Sequence, residues 1–204
     1  GAVLPYDSVF SLCRKAGGRT AAISYSWMSE LYSRAPYVSD RDRVQLDAEG
    51  SIQYGMYYWD DNYPDSHVFA EGECLRKTFE PDFMLYHTMA VDEWGHMKGA
   101  DSAEYANAVA AVGHLIAARM PEWLEKGYQV VVTADHGMNN LGIHVGTEYA
   151  QREVALYIFS DKVENGRFEE NYISQLNVAP MVCRLMGVPA TEGMKQELEI
   201  AFAK

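Results

Sequence analysis

A chain of 204 residues with 48% hydrophobic and 12% aromatic content has the apolar material for one well-buried core, and it reads as a single domain over 1–204. Its formal net charge of −12 argues against a nucleic-acid duplex as partner, because no long-range positive field draws a phosphate backbone in. The three cysteines, Cys13, Cys74 and Cys183, are far apart and in none of the paired spacings of a disulfide framework or a structural zinc site, so they read as free, buried thiols.

In chain order, Tyr6 to Ala16 places Val9, Leu12, Cys13 and Ala16 at helical spacing, with Gly17-Gly18 as the stop. Thr20 to Tyr25 reads as a short buried strand. Helix, glycine, strand is the rhythm of an α/β protein. From 26 to 64 the periodicity breaks down and aromatics crowd in, so this stretch reads as an irregular, cap-like insertion. Its run Tyr54 to Tyr63 fits packing of such a cap better than stacking of a nucleobase. Asp65 or Ser66 caps a helix to Phe79, and Glu80-Pro81-Asp82 stops it before a strand, Phe83 to Met89, that leads into a loop with Asp92 and His96. Asp101-Ser102 opens a long helix through Ala117, which Pro121 must end or restart. Tyr128 to Ala134 is the best strand in the sequence and runs straight into Asp135-His136-Gly137. A further strand, Val154 to Phe159, follows the loop holding His144, and a helix near Ile173 to Met186 closes at Gly187 with Pro189 behind it. No run approaches the roughly 18 apolar residues that suggest a membrane span, and no targeting segment is visible. Either the cytoplasm or an exported, trimmed chain is compatible with that pattern.

Polar residues at the ends of buried strands are where open α/β sheets hold ligands. Asp92 and His96 stand four residues apart around Gly95, Asp135 and His136 are adjacent before a glycine that permits a sharp turn, and His144 follows. Mixed oxygen and nitrogen donors of this kind suit zinc, with manganese or iron as alternatives, rather than calcium or magnesium. His87 reads as a hydrogen-bonded core group, His67 and His114 as surface or packing residues, and Glu93 and Trp94 as pocket liners without a catalytic role.

The run Thr133-Ala134-Asp135-His136-Gly137-Met138 resembles the metal-binding signature of the alkaline phosphatase superfamily. Asp92 to His96 is similar to its Asp-x-x-Gly-His element, His144-Val145-Gly146 to its later histidine-glycine element, and Leu176 to Pro189 to its closing helix and Gly-x-Pro tail. Asn177 stands where the family usually has aspartate, and Met181 where it usually has threonine. Among its branches the chain most resembles the type I phosphodiesterase/nucleotide pyrophosphatase family. The resemblance implies a three-layer α/β/α fold with a mostly parallel central sheet and metals at the C-terminal strand ends. It implies two divalent ions, one held by Asp92, His96 and His144 and the other by Asp135 and His136. It also implies cleavage of phosphodiester or pyrophosphate bonds in a small phosphorylated substrate such as a nucleotide. The family's Thr or Ser nucleophile lies in an N-terminal segment that no residue here matches, so the expectation is a C-terminal portion, incomplete at its N-terminus and inactive alone. A phosphonate hydrolase, a phosphosugar mutase or an inactive metal-binding fragment are the alternatives.

Overall fold

The computed structural model describes residues 2–166, 172–195 and 197–203. Its backbone contacts group into two compact units, the first made of 1–59, 70–87 and 161–204, the second of 60–69 and 88–160.

The first unit begins with α1 (Val9–Lys15), whose Ser8 cap and Ser11 each accept the other's backbone N–H. β1 (Thr20–Tyr25) follows, then α2 (Trp27–Tyr32), α3 (Ser39–Asp42), β2 (Val44–Gln45) and β3 (Tyr54–Tyr58). After α4 (Asp65–Phe79), which runs from the second unit into the first, comes β4 (Phe83–Tyr86). The strands form one sheet in the order β2-β3-β1-β4, with β1 parallel to both β3 and β4 and β2 antiparallel at the edge. On one face Ala22 packs with Phe10 of α1, Ile52, Met28 and Tyr32 of α2, and Phe83 and Leu85 of β4. On the other, α4 stacks Phe79 on Tyr54 at 3.9 Å and accepts the Tyr86 hydroxyl on Glu73 at 2.8 Å. Helices therefore cover both faces of a mostly parallel sheet, as the α/β reading anticipates.

The stretch 26–64 is not an irregular insertion. It contains two helices and two strands, and β3 is an interior strand, with β1 on one side and β2 on the other. Burial on both faces makes such a strand continuously apolar, which erases the alternation that marks a strand in sequence. Cys13 and Cys183 are buried as expected, but Cys74 is exposed, because α4 turns Val68, Gly72, Leu75 and Arg76 inward and leaves Cys74 outside.

Near the chain's end a 3₁₀ turn (Gln175–Asn177) leads into α9 (Val178–Met186), which lies against α1 and ends at Gly187 in the left-handed conformation at φ 76°. Asn177 is fully buried, donating to Ser174 O at 2.9 Å and Glu199 at 3.1 Å while accepting from the Glu199 N–H at 2.9 Å. An amide can donate and accept at once, which an ionised aspartate cannot. Met181, also fully buried, fills the core.

The second unit contains α5 (Ala90–Lys98), α6 (Ala103–Ala117) and α7 (Met120–Glu125), in which Pro121 restarts the helix at its first turn. β5 (Val130–Thr133) pairs antiparallel with β6 (Leu156–Phe159), and α8 (Tyr149–Arg152) lies between them in sequence. No described helix is long and apolar enough to cross a membrane.

Candidate metal centre

Three segments of the second unit bring the acidic and imidazole groups together. Asp92 and His96 are not on a loop but on α5, four residues apart and so on one face, with His96 Nε2 3.4 Å from Asp92 Oδ2. Two features allow a helix across this glycine-bearing stretch. The buried Asp65 carboxylate accepts the Met89 and Ala90 N–H groups at 3.2 and 3.5 Å, serving the orphan donors at the helix start. Burial pushes the Asp65 carboxyl up, and those two N–H groups oppose the shift. Gly95 is the close-approach point, since a Cβ there would lie 2.8 Å from Met138 Cε and 3.2 Å from Tyr105 Cε2.

β5 delivers the second segment. Just past its end, Asp135 Oδ1 accepts the His136 N–H at 3.1 Å, and Asp135 Oδ2 lies 3.6 Å from His136 Nε2. The Asp135 side chain is 73% exposed, against 28% for His136, so the first faces solvent and the second faces the cluster. The third segment, 139–148, carries His144, whose ring stacks on that of His136 with centroids 3.8 Å apart and lies 5.0 Å from that of His96.

The imidazoles are oriented by main chain. His96 Nδ1 is 2.8 Å from Gly142 O, and His136 Nδ1 is 3.0 Å from Gly137 O. A carbonyl oxygen can only accept, so each Nδ1 carries a proton, and in the neutral ring this leaves the Nε2 lone pair available to a cation. Asp92, His136 and His144 each offer a ligand atom within 4.8 Å of the other two. Asp92 Oδ1 is buried without a hydrogen-bond partner and lies 3.9 Å from His136 Nε2. An unpartnered buried carboxylate oxygen facing an imidazole lone pair is costly in an empty protein and is the donor arrangement a divalent cation satisfies. All five residues singled out in the sequence thus lie in one neighbourhood, with Asp92, His136 and His144 at its centre, His96 beside Asp92, and Asp135 at its exposed margin. Tyr105 adjoins it, its phenol pushed up by burial and, further, by the Asp92 charge.

Sequence reasoning missed the residues that hold the third segment in shape. Asn139 Oδ1 accepts the N–H groups of Leu141 and Ile143 at 3.0 and 2.9 Å, and its Nδ2 donates to Glu148 at 3.1 Å. Glu148 and Gln151 cap α8 reciprocally. The signal was present: an acidic residue followed three positions later by glutamine resembles a capping box.

Comparison with known proteins adds the following. The model of a family described as type I phosphodiesterase / nucleotide pyrophosphatase matches residues 9–179. GPI ethanolamine phosphate transferase 3, catalytic subunit, of Mus musculus is 27% identical over 157 residues, which are 73% of this chain and 14% of that protein. Its Homo sapiens counterpart is 29% identical over 117 residues, 56% of this chain and 11% of that one. The Saccharomyces cerevisiae GPI ethanolamine phosphate transferase 3 is 26% identical over 182 residues, 80% of this chain and 16% of its own length. This chain therefore spans less than a fifth of these relatives. Among solved structures, a murine ectonucleotide pyrophosphatase / phosphodiesterase 5, an inactive variant in complex with AMP, superposes with a TM-score of 0.44 at 18% identity, over 64% of this chain and 32% of that one.

Proposed function

The chain belongs to the type I phosphodiesterase / nucleotide pyrophosphatase family, and on that premise we propose that it carries the metal-binding part of an enzyme that breaks a phosphodiester or pyrophosphate bond. The observation that carries this reading is the meeting of Asp92, His136 and His144 around a buried carboxylate oxygen that lacks a partner. Asp92, His96 and His144 hold one divalent ion in this reading and Asp135 with His136 the other. Zinc fits the mixed donor set best, with manganese or iron as substitutes. Bound there, such ions neutralise charge on phosphoryl oxygens and activate an oxygen nucleophile. The chain's own residues position. Carbonyls of Gly137 and Gly142 keep the Nδ1 protons of His136 and His96 in place, so the Nε2 lone pairs stay aimed inward. No residue of this chain is proposed as the nucleophile.

The acceptor of the phosphoryl group divides two versions of the reading. Water makes the enzyme a phosphodiesterase or nucleotide pyrophosphatase, as the family description has it. An alcohol makes it a transferase, and the naming of the mouse, human and yeast relatives as ethanolamine phosphate transferases favours that version for this branch. Both begin by breaking the same kind of bond. The test is a zinc titration of this chain, followed by product analysis with a longer protein that also carries the expected Thr or Ser nucleophile, on phosphodiester, pyrophosphate and phosphonate substrates with and without an alcohol acceptor. A new ester of the alcohol supports transfer, and free monoester alone supports hydrolysis. Absence of zinc binding that depends on Asp92 and His136 overturns both.

A further inference from the structure

Gln151 lies on α8, outside every sequence element used to assign the metal ligands, yet its hydrogen bonds reach two of the three histidine-bearing segments, those of His136 and His144. Its side chain is buried. Nε2 donates to Ile143 O at 3.1 Å and reaches Val145 O at 3.5 Å, the two carbonyls that bracket His144. Oε1 accepts the Glu148 N–H at 3.1 Å, closing the far end of the same loop. Its main-chain carbonyl accepts the Gly137 N–H at 2.9 Å, and Gly137 O is in turn the partner of His136 Nδ1. Gly146 fits against this amide: a Cβ there would lie 2.3 Å from Gln151 Oε1.

We propose that Gln151 is a positioning residue of the metal centre, which sets His144 through its side chain and His136 through its main chain and so fixes the stacked pair of imidazoles. The proposal rests on the metal-site reading above. A primary amide suits the place because it donates to a carbonyl and accepts from an N–H at once; leucine does neither, and a carboxylate facing two carbonyls repels them. A residue that sets a metal ligand through hydrogen bonds acts on metal affinity even though it never touches the ion.

The test is a double-mutant cycle on the 204-residue chain, with zinc as the probe, calorimetry for affinity and urea unfolding in EDTA for stability. Gln151→Leu is expected to weaken zinc binding by about tenfold to a hundredfold. In the His144→Ala background the same change is expected to cost much less, because the ligand it positions through its side chain is gone. A purely structural role lowers stability equally in both backgrounds and leaves no such dependence. Gly146→Ala displaces the amide without removing it and carries the test if Gln151→Leu does not fold; it is expected to weaken zinc binding in the same background-dependent way. Unchanged affinity in the single variant, or equal losses in both backgrounds, overturns the proposal while leaving the metal site standing. Failure of the unaltered chain to bind zinc overturns the site itself.

Discussion

Replacing Asp92 with asparagine should have opposite consequences for the empty and the metal-loaded chain. In the empty protein the carboxylate brings a buried Oδ1 that nothing partners, and an unsatisfied buried polar group costs about 1–3 kcal/mol, more when charged. The favourable term lost is smaller, because a carboxylate in the first turn of a helix gains about 0.3–1 kcal/mol from the helix dipole. An amide keeps the shape and removes the charge, so the empty Asp92→Asn chain is expected to be as stable as the parent or more so. With zinc the sign reverses. Zinc at a hundred times its dissociation constant stabilises the parent by about 2.7 kcal/mol, and at about 2–4 °C per kcal/mol for a chain of this size Tm rises by roughly 5–11 °C. The variant has lost the central oxygen donor and should show little of that rise. Scanning calorimetry at pH 7.5, with EDTA or with zinc, reads both halves. A variant that keeps the zinc-dependent rise, or that melts several degrees lower in EDTA, refutes the assignment of that buried oxygen to a cation.

Further expectations concern the frame around the site. Gly142 sits at φ 72° with a Cβ position 2.6 Å from His96 O, so Gly142→Ala should cost about 1–3 kcal/mol in urea unfolding and weaken zinc binding through His96; an unchanged urea midpoint contradicts the geometry. Asp42 is wholly buried and held well below the usual carboxylate range, chiefly by the two hydrogen bonds from Arg41 and then by the Val38 N–H and Arg34. Because the folded value is depressed, its stabilisation is complete above the unfolded value of about 4 and drains away as pH falls below it. The difference in urea midpoint between the parent and Asp42→Asn should therefore be wide at pH 6 and shrink below about pH 4, and a constant difference would count against the ion pairs. Thiol titration with a disulfide reagent at pH 8 should find one fast group, Cys74. Burial, helped by the Asp82 charge, pushes the Cys13 thiol up to about 11, and burial also raises Cys183. Two fast groups in the native chain would show that α1 and α9 open.

What the sequence revealed depended on whether the governing pattern was local. β5 was legible because its valines run unbroken into a polar loop, and α6 because Ser102 caps it, its hydroxyl accepting the Tyr105 N–H at 3.1 Å. β3 was not, since Tyr54 to Tyr58 gained strand character from neighbours on both sides that are distant in sequence. α5 was read as a loop because Gly95 looked like a turn. Its reason for being glycine lies in Met138 and Tyr105, and nothing in the local spacing could point there. The same nine-residue helix owes its start to Asp65, another contact invisible to local pattern.

The site shows the same division between chemistry and orientation. Ligand types are readable one residue at a time, since a carboxylate or an imidazole carries its donor atoms wherever it stands. Their aim is not readable, because it depends on which ring nitrogen is occupied. His96 and His136 both spend Nδ1 on the carbonyl of a glycine, one distant in sequence and one adjacent, and the loop that supplies the distant carbonyl is shaped by Asn139 and Gln151. A sequence that kept all five proposed ligands but lost those amides would still match the signature while its Nε2 atoms no longer shared a target. In the proposed centre the motif would thus supply the donors, and the hydrogen bonds behind it would set how tightly an ion is held.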